Sequence, residues 1–139
     1  MSFWVKTIGH ARWSLPDDWM SEPGSLERLR STGFPRRPRI APGDRLVYYA
    51  AGWRRVFAAV EATGEPYAVE HPRWRWRVDV EALLAVPLLS NAPPVEAAGV
   101  AARSMSQQSH ISLDGDRYAR AVEAMASVAG APVPRPRSS

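Results

Sequence analysis

The sequence predicts a small mixed α+β barrel. Three observations predict it. Strands of unlike pattern recur along the chain with no internal repeat. Short helical stretches fall in the connections between them. One strand, Leu46-Val47-Tyr48-Tyr49, is bulky on both faces and so needs cover on both. A doubly wound parallel sheet would instead alternate strand and helix units regularly. At 139 residues the chain fits one domain with a real core. That domain is expected over residues 1–130, with 131–139, rich in Pro and Arg, a disordered tail.

The elements follow in order. Phe3 to Ile8 reads as a strand, with Trp4, Lys6 and Ile8 on one face. Gly9-His10 ends it, and a mixed segment with Trp13 and Trp19 follows. Ser25 to Arg30 reads as a short helix. Ser31 to Arg39 holds two prolines, a glycine and three arginines, and reads as a loop. Pro42-Gly43-Asp44 is a turn because Pro fixes φ, Gly permits positive φ, and Asp bonds nearby amides. The strand Leu46 to Tyr49 breaks at Gly52, and Val56 to Val60 returns as its hairpin partner. Trp74, Trp76, Val78 and Val80 alternate with Arg75, Arg77, Asp79 and Glu81, which predicts a strand with the first set in the core. The apolar run from Leu83 to Leu89 extends it around a bend. Val95 to Met105 is weakly helical, and Ser106 to Leu113 is polar and then strand-like. Asp114 caps a last helix to Ala129, stopped by Gly130.

Composition narrows the function. Without cysteine there is no disulfide framework and no thiolate metal site. The N-terminus lacks the basic and apolar regions of a signal peptide, and no apolar run is long enough to span a bilayer, so cytoplasm is the expected compartment and no membrane partner is expected. The three histidines show no metal-binding spacing, and neither a nucleophile elbow nor a Gly-rich phosphate loop is present. No metal, no cofactor and no catalytic residue is therefore expected. Net charge is +4, carried almost wholly by arginine, whose planar fork suits phosphates and stacks on bases. Arginines crowd the central segment, including Arg36, Arg37, Arg39, Arg54 and Arg55, where few acids answer them. Such a stripe is either a nucleic-acid footprint or a solvated surface.

An ordered set of short features carries a family resemblance. Phe3-Trp4-Val5 opens the chain, and Gly43-Asp44 leads a strand ending in Tyr48-Tyr49. Glu65-Pro66-Tyr67 follows the next strand, and His71-Pro72-Arg73-Trp74-Arg75-Trp76-Arg77-Val78 leads into Val86-Pro87-Leu88. Over residues 3–129 the chain resembles the EVE domains of the PUA-like superfamily, a group that includes the YTH, SRA and ASCH domains. The resemblance implies an open barrel of five or six strands with helices at its rim. It also implies a pocket for a modified, flipped-out base. Better-known members carry a Lys-Ser-Glu-Pro-like segment where this chain has Lys6-Thr7-Ile8-Gly9.

The residues supply candidates for such a pocket. A base reader needs flat aromatic walls, each stack contributing about 1–3 kcal/mol, and polar groups for the base edge. Trp13 and Trp53 lie in a loop and at a strand end, and Tyr49 lies on the less easily covered strand face. These are the expected stacking residues. Gln108, Ser109 and His110 are the expected edge readers, and Gln107 adjoins them. Lys6, Arg36, Arg37, Arg39, Arg54 and Arg55 are the expected phosphate contacts. The expected partner is a DNA or RNA strand carrying a modified, methylated base, bound without chemistry. Two alternatives stand beside it. One is a general RNA-binding module of PUA or ASCH type, needing no aromatic cage and showing a steep salt dependence. The other is a small nucleotide-processing enzyme.

Overall fold

The computed structural model describes residues 1–10, 13–106 and 108–129. Among these residues seven strands and two α-helices are formed: β1 (Phe3–Ile8), α1 (Ser25–Arg28), β2 (Ser31–Phe34), β3 (Arg45–Ala50), β4 (Arg55–Ala62), β5 (Tyr67–Ala68), β6 (Trp76–Ala85), β7 (His110–Leu113) and α2 (Gly115–Ala129). One curled sheet runs in the order β2-β6-β4-β3-β1-β7, with β5 also on β6. The strand β1 lies parallel to β3, and the other pairs are antiparallel. This is the expected α+β barrel, with seven strands in place of five or six.

The hairpin β3–β4 is its centre. Asp44 fixes the turn before it. One carboxylate oxygen accepts from the Ser2 amide at 2.8 Å, and the other accepts from the Ala41 amide and the Trp4 indole at 3.0 and 3.1 Å. Burial alone would raise the Asp44 pKa, but these donors outweigh it and hold the pKa below the ordinary carboxylate range. A depressed carboxyl stabilises the fold above its unfolded pKa, and that stability is lost as pH falls through the folded value. Asp44→Ala is expected to cost about 2 kcal/mol at neutral pH, because buried donors lose a charged acceptor. Urea melts at pH 7 and pH 3 test this: the cost should shrink at pH 3, and an unchanged midpoint at pH 7 would refute the role.

Both faces of β3 are covered, as its sequence requires, and Leu46 to Ala50 are all buried. Tyr118 of α2 stacks on Phe3 at 4.6 Å and lies under the Arg45 guanidinium, so α2 covers the face carrying Arg45 and Val47. Tyr48 points the other way, because side chains alternate along a strand. Its hydroxyl donates to the Arg28 carbonyl, and its ring meets Phe57, which Trp19 abuts edge-on. Trp19, expected in a loop, is fully buried, with its indole donating to the Val86 carbonyl at 2.8 Å.

Other expectations need correction. Ser31 to Phe34 is not loop but strand, paired with β6 from Trp76 to Asp79. Thr32 and Phe34 face inward and are buried. Gly33 leaves room for a close approach there, since a Cβ would come within 3.1 Å of the Trp74 side chain. Trp74 and Trp76 were expected in the core, yet both are half-buried. Trp76 opens β6, where it pairs only with the short β2 and β5, and Trp74 precedes the strand. Val78 and Val80, further along, are buried as expected. The weakly helical stretch forms two 3-10 turns, Val95–Ala98 and Ala102–Met105. Asp114 caps α2 by accepting from the Arg117 amide at 2.8 Å. The expected stop at Gly130, the tail 131–139 and Gln107 lie outside the described residues.

Candidate functional site

A cleft opens on the concave face of the sheet at the end of β1. It comprises two adjoining cavities of about 570 and 1020 Å³ that share Lys6, Thr7, Gly9, His10, Arg73 and Trp74. The smaller adds Trp13, Glu27, Arg28, Ser31, Gly33 and Arg77 to its lining. The larger adds Tyr49, Arg54, Arg103, Met105, Gln108 and Ser109.

Local sequence explains how the walls form. Gly9, at φ 88°, turns the chain back at the end of β1, and His10 and Trp13 then exchange backbone hydrogen bonds of 2.9 and 3.0 Å. A Cβ on Gly9 would lie 2.9 Å from the Trp13 carbonyl, so only glycine fits. Trp13 is thereby held at the cleft with 38% of its surface exposed. The Arg28 guanidinium lies 5.2 Å from its ring centre. On the other side, the His71 imidazole Nδ1 accepts from the Arg73 and Trp74 amides at 3.0 and 2.9 Å and folds the approach to β6. Lys6 Nζ and the Arg73 guanidinium lie 5.4 and 5.3 Å from the Trp74 ring.

Lys6 forms the floor. It faces inward on β1, opposite Tyr48 in the register, and is 3% exposed. Its ammonium donates to the Thr7 carbonyl at 2.8 Å and lies 5.0 Å from the Phe34 ring. Burial, with repulsion from Arg77 added, lowers its pKa to about 7. Among the described residues it makes no ion pair.

The structure brings several expected site residues together. Lys6, Tyr49, Arg54, Gln108 and Ser109 line the larger cavity, and Trp13 lines the adjoining one. Trp53 lines neither. Its indole donates to the Leu15 carbonyl at 2.8 Å and its ring packs on the core. His110 also lines neither, and sits instead between Trp4 and Phe34, at 5.5 and 5.1 Å, with Nδ1 2.7 Å from the Ser109 hydroxyl. Burial first, and Lys6 second, lower the His110 pKa. Arg36, Arg37 and Arg39 are exposed beyond β2, with Arg37 over the Trp76 ring at 5.1 Å. Arg55 is tied to the Ser90 and Ala92 carbonyls.

Sequence reasoning missed Trp74, Arg28, Arg73, Arg77 and Arg103 as cleft residues. A usable signal for Trp74 was its place just after Pro72, where alternation need not mean pairing.

No family model matches the chain, and no curated protein matches it in sequence. Solved structures do match in fold. Protein Atu2648 from Agrobacterium tumefaciens is 16% identical, with a TM-score of 0.60 over 95% of this chain and 97% of that one. Rpa0253 from Rhodopseudomonas palustris is 14% identical, with a TM-score of 0.57 over 94% of each chain. Human THYN1, solved in complex with DNA containing 5-methylcytosine, is 12% identical, with a TM-score of 0.49 over 88% of this chain and 96% of that one. The chain thus shares the fold of Atu2648 and Rpa0253, a small α+β barrel built on one curled sheet.

Proposed function

We propose that the protein is a non-catalytic nucleic-acid-binding module that holds one modified base in this cleft. The observation that carries the reading is the lining itself: Trp13 and Trp74 share a cavity rimmed by arginine, next to a second cavity with Tyr49, Gln108 and Ser109. Indoles offer faces on which any base can stack, and guanidinium groups hold the phosphates that flank it. The amide of Gln108 and the hydroxyl of Ser109 match donor and acceptor atoms on a base edge. Arg54 at the cleft, and Arg36, Arg37 and Arg39 beyond it, are the phosphate contacts of this reading.

Tryptophan fluorescence tests it. Short single strands carrying one modified base, 5-methylcytosine among them, are titrated against their unmodified parents. The modified strand is expected to quench more strongly and to bind more tightly. Removing one stack corresponds to about 1–3 kcal/mol, so Trp74→Ala is expected to weaken binding about tenfold or more. Trp53→Ala should leave affinity unchanged, since that ring is spent on the core. Equal binding of modified and plain strands would overturn base reading, and turnover of a nucleoside would overturn the non-catalytic assignment.

A further inference from the structure

Lys6 is a buried amine that meets no anion among the described residues. Charged lysine carries three donors, and only one of them is spent here, on the Thr7 carbonyl. The rings of Phe34 and Trp74 face the ammonium but supply no full charge. From β6 Arg77 repels it, from β3 Tyr48 lies opposite in the register, and from β7 His110 lies near enough to feel its charge. The cleft walls add Arg28, Arg54, Arg73, Arg103 and His10, while Glu27 on α1 lines only the smaller cavity and makes no ion pair with Lys6. Among the described residues the larger cavity has no carboxylate in its lining.

A lysine so placed cannot track a phosphate backbone passing outside the protein. Only what is inserted into the cleft reaches it. We propose that the inserted group carries an oxyanion, a carboxylate or a phosphate, which Lys6 Nζ receives at the floor. This rests on the reading of the cleft as a nucleic-acid site and names the class of ligand that site takes. A carboxylate borne by a modified pyrimidine and the phosphate of a nucleotide end offer the same chemistry.

The contact is coupled to a proton. An anion favours the charged ammonium over the neutral amine, so binding draws a proton from solvent wherever free Lys6 is partly neutral. Above pH 7 burial keeps His110 neutral, and both candidate oxyanions are ionised. Lys6, with its pKa lowered to about 7, loses its proton in this range, and affinity is expected to fall as pH rises, approaching about tenfold per unit.

Calorimetry in buffers of different ionisation enthalpy reads this directly. The probes are 5-carboxycytidine, which has the carboxylate and no phosphate, and cytidine 5′-monophosphate, which has the reverse. Cytidine and 5-methylcytidine are the neutral controls. At least one anionic probe is expected to bind more tightly than the controls, with proton uptake at pH 7 to 8 that Lys6→Met abolishes. Preference for the first probe identifies a base-borne carboxylate, and preference for the second a phosphate. Failure of both anionic probes to bind, binding without proton uptake, or binding retained in Lys6→Met would overturn the proposal. Indole quenching by methylated strands with no proton uptake would overturn it and leave the base reading intact. Proton-linked binding of cytidine 5′-monophosphate, with no base modification preferred, would uphold it and remove that reading.

Discussion

Trp19→Ala is expected to lower stability by about 3–5 kcal/mol, enough to unfold much of a marginally stable domain. The side chain is wholly buried, its edge rests on Phe57 at 4.8 Å, and its indole supplies the Val86 carbonyl with a donor. Truncation leaves a cavity under the central hairpin and orphans that carbonyl. The segment around Trp19 also carries the carbonyl to which the Ser25 hydroxyl donates. A denaturant melt followed by circular dichroism measures the loss. Trp19→Phe, which refills most of the volume without the donor, should recover part of it. A Trp19→Ala midpoint equal to the parent's would mean that this indole does not hold the segment to the barrel.

Lys6→Met is expected to act in the opposite sense and stabilise the protein, by about 3 kcal/mol at pH 6. Methionine matches the length of the lysine stem and brings no charge to bury. In the folded chain burial moves the Lys6 pKa from 10.5 to about 7. The unfolded chain therefore binds more protons between those values, and the parent gains stability as pH rises through that window. Below pH 7 the full cost of burying the charge is present, so the advantage of methionine is greatest there. It should fade as pH rises toward 10.5, where the folded parent has shed the proton and the unfolded chain begins to. Melts at pH 6, 8 and 10 give the comparison. An advantage independent of pH would point to packing alone, and destabilisation at pH 6 would refute an uncompensated charge.

Much of the fold was legible because its signals are local. Alternation and turn chemistry marked β1, β3 and β4, and Asp114 marked the start of α2. The strand β2 was hidden because its four residues stand beside a run of prolines and arginines. What makes Ser31 to Phe34 a strand is a partner far along the chain, Trp76 to Asp79. The two kinds of tryptophan were confused for the same reason. Alternation put Trp74 and Trp76 in a core-facing strand, yet Trp74 precedes β6 and Trp76, at its first position, is only half-buried. Trp19 carried no periodic signal, since a 3-10 turn of three residues holds it in place. At the cleft, Lys6, Tyr49, Gln108 and Ser109 were readable as candidates, while Trp53 was not separable from them. A single hydrogen bond from its indole to Leu15 turns it to the core, and nothing in the local pattern encodes that bond.

The pairing of β1 sets how the cleft comes into being. Lys6 stands opposite Tyr48 on one side and His110 on the other, and its ring neighbours Phe34 and Trp74 come from two further stretches. Apart from the bond to the neighbouring Thr7 carbonyl, these contacts close long loops, whose entropy is lost before the contacts form. Local turns shape single walls, the His10–Trp13 pair among them, but they meet over Lys6 only in the assembled sheet. Until β3 and β7 flank the first strand, Lys6 is an ordinary solvated amine. Its unusual chemistry is thus a property of the completed topology, and ligand affinity reports on the folding equilibrium of the whole barrel.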